Sequence, residues 1–389
     1  MKKLALTLIT ASILAGCGGG SAQSNPDSGV PVTPIEPSDP IEPIENLAPI
    51  AVVDAEELTY RYQPAIISGV DSYDPDETAD ITYDWTITSK PDGSNAVFSK
   101  ADMTAEFTPD LPGDYTVELV VSDGDKLSKP ISATIKAGTV ISGDYVQDLT
   151  LTPKDSPYLV SGSVIINYGT TLTAEGVEVY AIKGHGGISV FGDMVVNNSV
   201  VKGTGISNQG EKVDEPSSIK ITNSELDNNS FPANASSRGS IIVTDSVITG
   251  TEELAPYVWY PVHYQVERNV FKSPVWFSIG LNDGYKASIK NNRFENSLTM
   301  KSWAGYQYAG VIFQYNTFEE LPRLILNGNQ SKIDARENYW PTDDTDAIDE
   351  AISDGNDAGN INNIIEYRPM LQEPHVDTPA VGTEHVEDY

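Results

Sequence analysis

The chain has 389 residues, a formal net charge of −32 and a sequence pI near 4.2. Such an acidic excess excludes the basic face that nucleic-acid binding requires, and it opposes polyanionic ligands except at a local basic patch. With a single cysteine, Cys17, no internal disulfide can form.

At the N-terminus, Met1-Lys2-Lys3 leads into an apolar run from Leu4 to Leu14, of secretory length and too short to span a bilayer. Leu14-Ala15-Gly16-Cys17 then resembles a bacterial lipobox. The resemblance implies a signal peptide over residues 1–16, cleavage before Cys17 and lipidation of that residue. Several acyl chains hold a protein to a membrane where one does not. Gly18 in place of Asp after the cysteine implies the outer membrane, with exposure at the cell surface left open. Residues 17–48 read as a tether, Gly/Ser-rich and then Pro-rich, with no capacity to build a core.

Residues 49–136 carry short apolar-alternating runs between turn residues, the rhythm of a small β-sandwich with Trp85 between its sheets. Asp74-Pro75-Asp76, Tyr83-Asp84-Trp85 and Pro112-Gly113-Asp114-Tyr115 through Val121-Ser122-Asp123-Gly124 resemble a PKD-type, immunoglobulin-like domain. Such domains serve as spacers or binding modules on secreted proteins. The acidic turn from Asp71 to Glu77 is a candidate for calcium, which takes oxygen ligands. A solvated Asp-Pro turn is the competing reading. No other cofactor is expected.

Beyond Gly138 the period lengthens. Seven segments align on Ser199, Ser224, Ser246, Asn269, Asn292, Asn316 and Asn338, with gaps of 25, 22, 23, 23, 24 and 22 residues. The residues five before, three before and two after each of these are apolar in every segment, as in ASIKNNRFEN, where they are Ala287, Ile289 and Phe294. Apolar residues two apart mark a strand with one buried face, and a unit that cannot bury its own face must stack. A leucine-rich repeat lacks its signature here. The pattern fits an all-β, right-handed parallel β-helix preceded by the immunoglobulin-like sandwich. The polar residues read as an internal ladder at the bend, where Asn also tolerates a left-handed backbone. Second inward strands are expected at Val275, Phe277 and Ile279, at Leu298 and Met300, and at Leu324 and Leu326.

The opening coils, Thr152 to Val196, resemble those of right-handed parallel β-helix proteins of the pectate-lyase-like superfamily. Glu337-Asn338-Tyr339-Trp340, with the acidic stretch from Asp343, resembles their terminal coil and closing helix, except that Pro341 stands where a Gly is usual. The β-helix is assigned residues 138–370 and an acidic tail 371–389.

Many such proteins act on polysaccharides. The outward stack Thr222, Thr244, Glu267, Lys290, Gln314 and Arg336 does not cluster carboxylates, and alternating charge there reads as cross-strand pairing. Gly184-His185-Gly186 resembles a polygalacturonase turn, without the acidic motifs that should precede it. No metal-spaced His or Cys cluster and no Ser–His–Asp set is evident. What remains is aromatic. Trp259, Tyr260, His263, Trp276, Trp303 and Tyr306, with Lys301 and Arg323 placed nearby by coil counting, are the candidate ligand-binding residues. The alternative is that long turns bury their own aromatics. The leading expectation is a monomeric, lipid-anchored surface protein that binds extracellular or cell-wall polysaccharide. A polysaccharide lyase or hydrolase, and a purely structural or adhesive solenoid, are the other two readings.

Overall fold

The computed structural model describes residues 45–76, 80–182, 186–212, 214–227, 229–234, 238–250, 252–281, 285–304, 310–328, 332–355 and 364–385. Cys17, the tether before residue 45, Glu77, Gly184, His185 and Tyr306 lie outside the described residues.

At the N-terminal side two four-stranded sheets face one another. One pairs Asp54–Ala55, Ala65–Ser68, Thr104–Phe107 and Phe98–Ala101, all antiparallel. The other pairs Thr82–Ser89 with Gly113–Ser122 and that with Ile131–Tyr145, while Leu58–Tyr60 adds to its edge in parallel. Trp85 is buried between them, and its indole N–H donates to the Asp102 carbonyl at 2.7 Å.

Ile131–Tyr145 does not stop where the sandwich ends. Its second half pairs in parallel with Tyr158–Ile166, and from there the chain winds into a parallel β-solenoid of about eight turns. One strand therefore belongs to both regions. The junction is tight at Gly138, where a Cβ would come within 2.3 Å of Leu159. Lys136 reaches across it to Glu178 at 2.8 Å.

Each coil has three strands and three faces. In the coil that opens at His263, His263–Glu267 lies on face 1, Val270–Phe271 on face 2 and Val275–Gly280 on face 3. Face 1 stacks ten parallel strands, from Leu149–Leu151 to Ile364–Glu366. The three apolar positions read from the repeat are buried in all seven segments, at 4 % exposure or less. The expected second strands are those of face 3, with Val275, Phe277, Ile279, Leu298, Met300, Leu324 and Leu326 all buried. Inside the turn, Phe271 stacks on Phe294 at 4.8 Å and Phe294 on Phe318 at 5.8 Å, one ring per coil.

The polar ladder forms. The backbone N–H of Asn269 donates to Asn292 Oδ1 (3.0 Å), that of Asn292 to Asn316 Oδ1 (3.0 Å) and that of Asn316 to Asn338 Oδ1 (2.8 Å). Each of Asn269, Asn292 and Asn316 also donates from Nδ2 to the next Oδ1 and to a carbonyl of the preceding coil. The serines continue the line differently. Ser199, Ser224 and Ser246 accept a neighbouring coil's N–H and donate to their own strand, so side chain never meets side chain. The line ends on Val177, whose N–H donates to Ser199.

Two expectations need correction. The left-handed residue at the bend is not the ladder residue but the one before it: Asn198, Asn223, Asp245, Arg268, Asn291, Tyr315 and Glu337 have φ between 46° and 60°. That geometry aims the next side chain inward, which is what the ladder requires. The closing helix, Thr345–Ala351, is capped by Asp344 and buries Ile348, but it does not end the solenoid. It is inserted before Ile352–Ser353 on face 3, and Ile364–Glu366 then adds a further strand to face 1.

The final segment runs back along the outside of the bend. Leu371 N–H donates to the Asn338 carbonyl, Thr378 Oγ1 to the Tyr315 carbonyl, and Arg293 Nε to the Pro379 carbonyl. Lys272 pairs with Glu384 at 2.6 Å. Glu384 thus meets a basic residue of a coil passed earlier, and Arg293 beneath the segment is 5 % exposed.

Candidate functional site

Face 3 of the middle coils holds the aromatic residues. In register, Tyr257 pairs with Ser278 and Ser278 with Lys301 and then Ile325. Two residues along, Trp259 pairs with Gly280, Gly280 with Trp303 and Trp303 with Asn327. Two residues the other way, Trp276 pairs with Thr299 and Thr299 with Arg323. Side chains alternate across a strand, so these three rows share the outward face. Inward neighbours Phe277, Ile279, Met300 and Leu324 are fully buried.

Three rings of this face touch. Tyr257 stacks on Trp259 (6.0 Å, 9° between planes), Tyr257 meets Trp303 at 5.8 Å, and Trp259 meets Trp303 at 6.4 Å. Tyr260 packs on Trp259 at 4.3 Å from the adjoining turn. Gly280 permits the arrangement. Its φ is not in the left-handed region, so the backbone does not demand glycine; a Cβ there would come within 2.9 Å of the Trp303 indole nitrogen. The indole lies over bare backbone, and the group forms a platform with Tyr257 47 % exposed. Trp276 is exposed on the same face but touches none of these rings. The turns thus do bury part of their aromatics against one another while leaving one side open.

Beside the platform, toward earlier coils, is a cleft of about 760 Å³. Asp227, Phe231, Glu252 and Glu253 line it, with Leu254 to Pro256 leading from it to Tyr257. Asp227 is committed to structure: its carboxylate accepts from Gly203 N–H, Ser230 N–H and Ser230 Oγ.

His263 is not part of this face. It opens the face 1 strand, is exposed, and shares a bond of 3.1 Å between Nε2 and Gln265 Oε1. Gln265 Nε2 in turn donates to Glu267, which accepts only, so His263 is the donor in the first bond. Glu267 also accepts from Ser288 of the next coil at 2.8 Å. The outward stack of face 1 is thereby knitted by bonds between and along strands. At its far end Arg336 holds Asp334 at 2.7 Å, keeping that carboxyl below its ordinary range.

Lys301 and Arg323, expected near Trp276, do share its face: Arg323 stands in the same row two coils on, and Lys301 one coil on and two residues along. Neither forms an ion pair among the described residues. Gly280 is the member that sequence reasoning did not name, because only the register brings it under Trp303. Among the described residues no group of three His, Cys, Asp or Glu side chains is arranged to hold a metal ion. None of their helices is long and apolar enough to cross a membrane. No protein-family model matches the chain, and no curated protein matches it.

Proposed function

We propose that this protein is a surface-anchored lipoprotein whose solenoid binds extracellular or cell-wall polysaccharide on face 3. The observation that carries the reading is the open platform of Tyr257, Trp259 and Trp303 over Gly280. Pyranose rings present apolar C–H faces, and aromatic planes left open to water are suited to them. A rigid sheet pre-organises the rings, so little conformational entropy is lost when a sugar docks. Anchoring in the outer membrane rests on the lipobox at Leu14 to Cys17 and the tether after it.

Affinity electrophoresis through gels containing single polysaccharides tests the binding. A polymer that retards the protein, and retards Trp259→Ala and Trp303→Ala by less than a tenth as much, supports the platform. Retardation of both variants equal to that of the native protein, or of none of the three proteins, sinks it.

A further inference from the structure

The charge of the chain and the charge of its aromatic face disagree. Acidic residues number 56 of 389. Yet the outward rows of face 3 across four successive coils, from Tyr257 and Trp259 to Arg323, Ile325 and Asn327, contain no carboxylate. They contain two cations, Lys301 and Arg323, and neither has an ionic partner among the described residues. Elsewhere several half-buried basic residues of the solenoid are neutralised: Lys202 by Glu225, Arg268 by Asp245, Lys272 by Glu384 and Arg336 by Asp334.

Position matters as much as sign. Coils are spaced by about 4.8 Å and residues along a strand by about 3.3 Å. Lys301 therefore stands roughly 7 Å from Trp303 on one strand and roughly 10 Å from Tyr257 across two coils. Arg323 lies one coil and two residues beyond Lys301, roughly 8 Å on. The cations form a diagonal flank along the side of the platform away from the acidic cleft. A glycan segment stacked on Tyr257 and Trp303 would present the substituents of that edge to Lys301, and those of the next sugar to Arg323.

Resting on the platform reading above, we infer that the ligand is an anionic glycan, held by its sugar faces on the rings and by its acidic substituents on Lys301 and Arg323. Carboxylate and sulfate share the required chemistry, and charge-assisted bonds to either shorten and strengthen in a partly dry site. Arg323 would favour the bidentate geometry that both offer.

The test uses the full chain and three soluble polymers: a polyuronate, a sulfated dextran and uncharged dextran. Lys301→Gln combined with Arg323→Gln is expected to weaken binding to at least one charged polymer tenfold or more, and to flatten its dependence on salt. Lys286→Gln combined with Lys290→Gln makes the same change of net charge on face 1 and is expected to leave binding within twofold. Whichever charged polymer responds identifies carboxylate or sulfate. Undiminished binding of charged polymer by the first double variant overturns the inference while leaving the platform reading in place. Equal loss in both double variants overturns it too, since bulk charge would then explain the effect. Preference for uncharged dextran, or no binding to any polymer, also rejects it.

Discussion

The corner between faces 1 and 2 and the outer side of face 3 solve different problems in the same coil. At the corner every turn must repeat: one left-handed residue, one inward polar side chain and one apolar residue two further on. On face 3 nothing forces repetition on the outside of the solenoid. The same row carries Trp259, Gly280, Trp303 and Asn327 in four consecutive coils. Repetition therefore marks what stacking demands, and departure from it marks where a surface is free to take on other work.

Replacing a ladder residue tests the corner most severely. Asn292 accepts from the Asn269 N–H and Nδ2 and donates to Val266 and Asn316, all in the dry interior. Asn292→Leu leaves several of those groups unpaired, at roughly 1–3 kcal/mol each, and is expected to lower stability by about 4 kcal/mol in urea unfolding. A loss under 1 kcal/mol would mean that the ladder is decoration. Gly280→Val probes the other region. It lifts Trp303 off the backbone, and we expect about tenfold weaker glycan binding, near 1.4 kcal/mol, with a smaller change in melting temperature. If melting falls sharply and binding does not, the glycine belongs to the fold and not to the platform.

A smaller effect runs in the opposite direction. Tyr264 is fully buried and its hydroxyl has no hydrogen-bond partner among the described residues. Burial pushes the phenol well above its usual pKa. Tyr264→Phe removes an unsatisfied polar group without a large change of shape, so stability is expected to rise by about 1 kcal/mol. A drop on differential scanning calorimetry would show that the oxygen is satisfied by water.

The smallest effect lies on the outside of the corner. Burial pushes the Asp245 carboxyl up, but bonds from Arg268 and Thr244 outweigh it and hold the group below the ordinary carboxylate range. A depressed pKa contributes stability above the unfolded value, near 3.9, and loses it as pH falls through the folded value. Both side chains of the pair are more than a third exposed, so the contribution is at most about 0.5 kcal/mol. Melting temperature followed from pH 6 to pH 3 should therefore fall slightly less for Asp245→Asn than for the native chain below pH 4.

The sequence made the inward half of the solenoid legible because burial filters residue type. Ala287, Ile289 and Phe294 announce themselves by spacing alone. The left-handed positions did not, since Arg268, Tyr315 and Glu337 are not residues that favour that conformation; stacking overrides local preference there. The docked C-terminal segment was equally hidden. Residues 371–389 read as a solvated acidic tail until the contacts of Glu384 with Lys272 and of the Pro379 carbonyl with Arg293, both more than 80 residues earlier, are known. Half of the aromatic site was visible. Trp276 points outward by counting along one strand, but the meeting of Tyr257 with Trp303 depends on turn lengths in two coils, which composition does not reveal.

The strand Ile131–Tyr145, common to the sandwich and the solenoid, has a mechanical consequence. A pull applied through the sandwich passes into the first coil along the axis of that strand. Its parallel bonds to Tyr158–Ile166 are then loaded together, in shear, instead of one after another. With no hinge between the two regions at this point, tension is shared across a whole ladder of bonds, and the face that carries the rings keeps its orientation relative to the pull.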